Sequence, residues 1–152
     1  MINFVATAAM VVGLAVSAPR APQWETSYGK ALEETRDGQD PLLVVLDKPN
    51  SKEARIEPAL LSEDSPSSDT TRLLRPYRLC HVDVSTEYGQ KVAKAFKAKE
   101  FPQVAIIDKT GSTVLFKKAG QIKSSEWKDI LTSYKSGERS KAYCPNCQRN
   151  KF

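Results

Sequence analysis

The chain has 152 residues, which is enough for one domain with a short extension at each end and excludes two ordinary domains. Its 40% hydrophobic and 27% charged residues form an ordinary globular composition, which excludes disorder of the whole chain. The net charge of +5 is mild and lies mostly at the C-terminus, where Lys135, Arg139, Lys141, Arg149 and Lys151 stand against Glu138. We expect a solvated basic tail and no nucleic-acid partner.

The N-terminal segment Met1 to Ala18 carries no charged side chain, and its centre, Phe4 to Val16, is apolar. An apolar run ended by small residues is typical of an export signal, here residues 1–18. Because Pro19 would hinder cleavage after Ala18, cleavage after Ala15 or Ser17 is an alternative. An uncleaved anchor is the alternative, although spanning a bilayer needs about 20 residues. We expect a periplasmic or extracellular protein that meets a membrane only if this segment is uncleaved. Residues 19–23 follow as a linker.

Three elements are predicted next. Trp24 to Arg36 shows helical spacing of its apolar residues. Leu42 to Leu46 is a continuous apolar run, which suits a strand buried on both faces. Asn50, with Glu53 three residues later, has the pattern of a helix cap, and it predicts a helix through Leu61 that Pro58 should kink or shorten.

A loop, a strand and a helix are predicted in the middle of the chain. Ser62 to Thr71 is polar and predicts a surface loop. Tyr77 to Val84 predicts a strand whose alternation buries Cys80. Ser85 or Thr86 then caps a helix with the apolar positions Tyr88, Val92, Ala95 and Phe96.

A β-hairpin is predicted within Glu100 to Lys118. Its strands are Gln103 to Asp108 and Thr113 to Lys118, joined by a turn that contains Gly111. Pro102 stands just before the first strand, where its missing N–H costs no ladder bond. A last helix begins at Ser124 or Ser125 and has Trp127, Ile130, Leu131 and Tyr134 on one face.

This order of elements predicts an α/β domain over residues 24–136, followed by a tail at 137–152. Helices separate the first three predicted strands, which favours parallel pairing among them, and the last two strands form an antiparallel hairpin. The expected architecture is a mixed central sheet flanked by helices.

The ordered set of elements resembles the thioredoxin-like superfamily, a three-layer sandwich. The residues that carry the resemblance are Leu42 to Leu46 before a Pro58 helix, His81 to Val84, Phe101-Pro102 before a strand, and Gly120 ahead of the Trp127 helix. The resemblance implies that Pro102 is cis and faces a groove. In redox-active members that groove holds an extended peptide through backbone bonds.

The sequence departs from the family where the chemistry should be. Counted back from Pro58, the redox C-x-x-C should fall on Asn50 to Glu53, where there is no cysteine. Thiol exchange needs an attacking and a resolving thiol, so it is excluded at this position. Ser51 is expected to serve the helix cap rather than act as a nucleophile, because no Ser-His-acid set is visible. Asn50, Ser51, Phe101 and Pro102 remain as candidate peptide-binding residues.

Cys144 and Cys147 form the one C-x-x-C of the chain, in its basic tail. The pair is compatible with a local disulfide, with a redox dithiol in which Cys144 attacks, or with a metal site that lacks a second pair of ligands. Cys80 is expected to be a buried hydrophobe. We predict no cofactor.

Three functions follow as hypotheses. The first is an exported, non-catalytic module that binds an extended peptide or a protein partner in the groove beside Pro102. The second is a thiol-disulfide oxidoreductase that uses Cys144 and Cys147, and the third is a metal-handling protein that uses the same pair.

Overall fold

The structure is a computed structural model that describes residues 22–61 and 68–138. The predicted signal segment, most of the linker, and both Cys144 and Cys147 lie outside these ranges.

The described residues form five strands and five helices. The strands are β1 (Trp24–Glu25), β2 (Leu42–Asp47), β3 (Arg78–Asp83), β4 (Gln103–Ile107) and β5 (Val114–Ala119). The helices are α1 (Tyr28–Gly38), α2 (Pro58–Leu61), α3 (Asp69–Leu74), α4 (Glu87–Ala95) and α5 (Ser124–Tyr134).

The strands form one mixed sheet in the order β1-β3-β2-β4-β5. β3 runs parallel to β1 and to β2, and the predicted hairpin β4–β5 is antiparallel. The expected parallel pairing of the third predicted strand is wrong, because β4 runs antiparallel to β2. The cause lies in the chain after α4, which returns to the carboxyl end of β2, where Lys48 lies 5.4 Å from the Phe101 ring, before β4 begins.

The predicted first helix begins too early. Trp24 and Glu25 form a short edge strand that pairs with Leu79 and Cys80. The helix starts at Tyr28, after the Ser27 side chain accepts a hydrogen bond from Lys30 N. The spacing of Trp24 and Tyr28 fits a helix. Trp24 is instead held in the strand by its pairing with β3 and by a hydrogen bond from its Nε1 to Leu61 O (3.1 Å).

The helix predicted from Asn50 is also wrong in most of its length. Residues 48–57 form turns, and only Pro58–Leu61 is helical, with Pro58 at the first position, where its missing N–H costs nothing. The predicted loop from Ser62 to Thr71 is wrong at its end, because α3 begins at Asp69 with Ser68 as its N-cap.

Two hydrophobic clusters cover the two faces of the sheet and make a three-layer sandwich, as expected. One cluster joins Leu43, Val45, Tyr77 and Leu79 to the helices α2, α3 and α5. The other joins Leu42, Val44, Cys80, Val82 and Ala105 to α1 and α4. The predicted alternation of β3, including complete burial of Cys80, is confirmed.

The last two helices follow their patterns with small differences. Thr86 caps α4 by accepting from Gly89 N (2.9 Å), and Val92 and Ala93 are buried. Tyr88, predicted on the apolar face, is 45% exposed. In α5 the buried residues are Trp127, Ile130 and Leu131, but Lys123 takes the cap position without a side-chain bond, so neither serine caps the helix.

Candidate functional site

The candidate site lies at one edge of the sheet, where β2 and β3 end and β4 begins. In parallel neighbours such as β2 and β3 the carboxyl ends meet at the same edge, and ligands of open α/β sheets bind there. The connection that leaves β2, the connection that leaves β3 and the Phe101-Pro102 pair therefore border one another.

Asp47, the last residue of β2, holds this edge together. Its carboxylate is completely buried, with Oδ1 lying 2.8 Å from His81 Nε2 and Oδ2 accepting from Ile56 N at 3.1 Å. The edge of the Trp24 ring faces His81, with ring centroids 6.1 Å apart. Sequence reasoning missed Asp47 and treated His81 as an ordinary strand residue. The available signal was an acidic residue at the end of an uninterrupted apolar run.

Backbone bonds close residues 48–57 into a compact connection. Lys48 N donates to Ala54 O (3.0 Å), and Ser51 N donates to Lys48 O (2.9 Å). From the far side, Gln121 Nε2 donates to the carbonyl oxygens of Glu53 and Arg55, each at 3.0 Å. This connection is thus fixed at both ends without forming a helix.

Asn50 and Ser51 lie in this connection and do not act as a cap. Asn50 is exposed and Ser51 is half-buried, and in the described part of the chain neither side chain makes a hydrogen bond. No helix begins at Asn50, so no helix N-terminus is present there to lower the pKa of a thiol. Residues 50–53 thus contain neither a cysteine nor the start of a helix.

The Phe101-Pro102 peptide bond is cis, as the resemblance implied. Pro102 is buried, and its carbonyl oxygen accepts from Gly120 N at 2.8 Å. Gly120 has φ of +88°, a conformation that glycine adopts without steric cost. The predicted residues Pro102 and Gly120 are thus brought together, and β5 supports the cis-proline corner.

Phe101 presents unused backbone groups at this corner. The β2–β4 ladder ends at the pair Leu46 and Gln103, so Phe101 lies beyond it. Among the described residues, no backbone hydrogen bond involves Phe101. Its ring is half-buried beneath the Lys48 ammonium group. The structure therefore brings Phe101 beside the start of the connection that contains Asn50 and Ser51.

The described part of this site contains no exposed cysteine. Cys80 is the only cysteine in residues 22–61 and 68–138, and burial raises the pKa of its thiol to about 12. A protonated, buried thiol is neither a nucleophile nor a metal ligand. Within the same ranges, no group of three or more histidine, cysteine or acidic residues is placed to hold a metal ion. The predicted chemistry of Cys144 and Cys147 lies outside the described residues.

No helix in the described ranges is long and apolar enough to cross a membrane.

The fold is shared with thioredoxins. A thioredoxin from Thermus thermophilus superposes with a TM-score of 0.58 at 17% identity, covering 74% of this chain and 86% of that one. A protein described as DsbH oxidoreductase superposes with a TM-score of 0.55 at 18% identity, covering 86% and 94%. Thioredoxin O2 from Arabidopsis thaliana gives 0.54 at 13%, covering 69% and 84%. No protein-family model and no curated protein matches the sequence.

Proposed function

We propose that this chain, which has the thioredoxin-like fold, is an exported protein that binds extended peptides beside Phe101 and Pro102 and carries out no dithiol exchange at Asn50 to Glu53. One observation carries the proposal. Within residues 22–61 and 68–138, no hydrogen bond pairs the N–H or C=O group of Phe101, which lies at the end of the β2–β4 ladder. An extended peptide pairs with such groups as an added strand does, while its side chains enter neighbouring pockets.

The closed connection at residues 48–57 supports the second half of the proposal. Asp47 and Gln121 stabilise a turn structure where redox members of the fold need an accessible thiolate. Export is supported only by the apolar segment before Ala18, and N-terminal sequencing of the protein from the extracellular or periplasmic fraction tests it.

Binding is tested with a fluorescein-labelled peptide of neutral sequence, Gly-Gln-Gln-Leu-Gln-Gln-Gly, and the full chain. A short peptide with few contacts should bind weakly, with Kd of about 10–100 μM. Phe101→Ala should weaken binding at least about fivefold, because it removes the apolar ring beside the backbone groups that pair with the peptide. Val114→Ser is the control, since Val114 is an exposed apolar residue on β5. Equal affinities for both variants and the wild type contradict the proposal.

The oxidoreductase alternative is tested in the same preparation by insulin reduction. The proposal predicts that the wild type reduces insulin no faster than the Cys144→Ser/Cys147→Ser variant. A clear excess of wild-type activity assigns redox function to the tail pair.

A further inference from the structure

The open surface beside Phe101 is a depression of about 650 Å³. It lies between the connection after β3, the helix α4 and the chain that leads from α4 to Phe101. Its floor is apolar: Val84 and Ala93 are buried, Ala98 and Phe101 are half-buried, and all four belong to the cluster under α1 and α4. A floor of this kind accepts an apolar side chain of a bound peptide.

The rim of the depression is basic. Four exposed lysines line it, and no acidic residue does: Lys48, Lys94, Lys97 and Lys99. Glu100, next to Lys99 in the sequence, is not among the lining residues.

The four rim lysines have no carboxylate partner, unlike several lysines elsewhere in the described residues. Lys91, on the same helix as Lys94, pairs with Glu87 at 2.7 Å, and Lys30 and Lys109 also pair with glutamates. Among the described residues, no carboxylate pairs with any of the four rim lysines. The rim therefore carries positive charges that no ion pair among the described residues neutralises, and these favour an anionic occupant.

Lys97 occupies a backbone position that suits glycine better. After α4, Lys97 N donates to Lys94 O (3.0 Å) and Ala98 N donates to Ala93 O (2.9 Å), the bonds of a Schellman motif. Lys97 is the left-handed residue of this motif, with φ of +51°. A lysine with its Cβ in this region costs stability that a glycine would not, so a glycine here can remove the charge without harming the fold.

We infer that the depression selects acidic peptides: an apolar side chain enters the floor while flanking carboxylates meet the lysines of the rim. This inference rests on the proposed function and adds a substrate class to it. A nucleic acid is the less suitable occupant. Single strands bind by stacking on open aromatic faces, and the one aromatic ring of this surface, Phe101, is covered by Lys48.

The test compares two labelled peptides on the full chain, Gly-Glu-Glu-Leu-Glu-Glu-Gly and its glutamine analogue Gly-Gln-Gln-Leu-Gln-Gln-Gly, by fluorescence anisotropy. The acidic peptide should bind at least about tenfold tighter at low salt, and the advantage should shrink between about 50 and 300 mM NaCl because exposed charges are screened. Lys94→Gln and Lys99→Gln should each weaken the acidic peptide about threefold. Lys128→Gln, an exposed lysine on α5, is the charge control and should have no effect.

Lys97→Gly separates binding from folding. It should raise the melting temperature by about 4 °C and yet weaken the acidic peptide about threefold or more. Gln39→Gly is the backbone control, because Gln39 is also left-handed, with φ of +57°, at the end of α1. Its peptide affinity should equal that of the wild type.

The outcomes are distinct. If the glutamine peptide binds and the acidic one binds no tighter, or if Lys97→Gly keeps full affinity, the selectivity is overturned while the proposed function stands. If neither peptide binds, the proposed function falls with it. If oligothymidine binds tighter than the acidic peptide and depends on the same lysines, the occupant is a nucleic acid and the inference is wrong.

Discussion

Two neighbouring regions at the same edge of the sheet differ in how their polar and charged groups are bonded. The connection at residues 48–57 is held by Asp47, Gln121 and its own backbone bonds. The depression beside Phe101 has an apolar floor and a rim of lysines without internal partners. The first region is held by hydrogen bonds within the chain, whereas the rim lysines of the second have no carboxylate partner among the described residues. We propose that the first region has a structural role and that the second is the binding surface.

Gly89→Ala should disturb the packing of α4 beside the depression, and we expect it to lower the free energy of unfolding more than the other changes below. A Cβ at Gly89 would lie 1.9 Å from Asp83 O and 2.8 Å from Val84 Cα, so α4 would have to move away from the end of β3. We expect a loss of at least about 3 kcal/mol of unfolding free energy, measured by urea denaturation.

Gly29→Ala is the matched control, because nothing lies within 4 Å of a Cβ added at that position of α1. It should leave stability unchanged or raise it by about 0.5–1 kcal/mol. Similar losses for both variants would show that α4 does not need the close approach.

Asp47→Ala should open the first region. It removes the buried acceptor of Ile56 N and leaves the partly exposed His81 without this carboxylate. We expect a loss of about 3 kcal/mol and faster hydrogen exchange at the Ile56 amide.

Asp129→Ala, a change at an exposed residue of α5, should stay within about 0.5 kcal/mol of the wild type. A change below about 1 kcal/mol for Asp47→Ala would mean that the connection does not depend on the carboxylate.

The Cys80 thiol should be unreactive in the folded protein, and its protonation should make the stability depend on pH. Burial raises its pKa from 9.0 to about 12, so the folded thiol keeps its proton where the unfolded thiol loses it. The stability that this supplies is complete below the unfolded pKa and is lost as pH rises through the folded pKa.

The measurement is iodoacetamide labelling of Cys144→Ser/Cys147→Ser protein near pH 8.5. We expect labelling at least about 100-fold slower in the folded protein than in urea. Folded and unfolded rates within about tenfold of each other would place a reactive thiol in the folded domain.

Most strands and helices could be predicted from the sequence, because a local pattern decides them. The apolar run Leu42 to Leu46, for example, can form only a buried element. Prediction failed where a distant group decides the local structure. Trp24 is drawn into an edge strand by Leu79 and Cys80, against its helical spacing. Asn50 and Glu53 have a cap pattern, but Gln121 and Asp47 hold their segment as turns. The direction of β4 likewise depends on where the chain returns after α4.

The candidate site was predicted in part for the same reason. Phe101-Pro102 carries a local signal, since a proline before a strand restricts the backbone wherever it occurs. The pairing of Asp47 with His81 depends on the register of two strands that are far apart in sequence, and no local pattern contains it. The cluster of rim lysines could not be predicted for the same reason, because Lys48 is far from the other three in sequence and comes near them only in the folded protein.

The most direct test of the central claim is to titrate the full chain with the neutral peptide Gly-Gln-Gln-Leu-Gln-Gln-Gly and follow the backbone amide signals by NMR. We expect the amide signals of Val84, Ala98 and Phe101 to shift together and saturate, while those of Ala54 and Ile56 stay in place. Shifts confined to Ala54 and Ile56, or the absence of saturable shifts at Phe101, would contradict the claim.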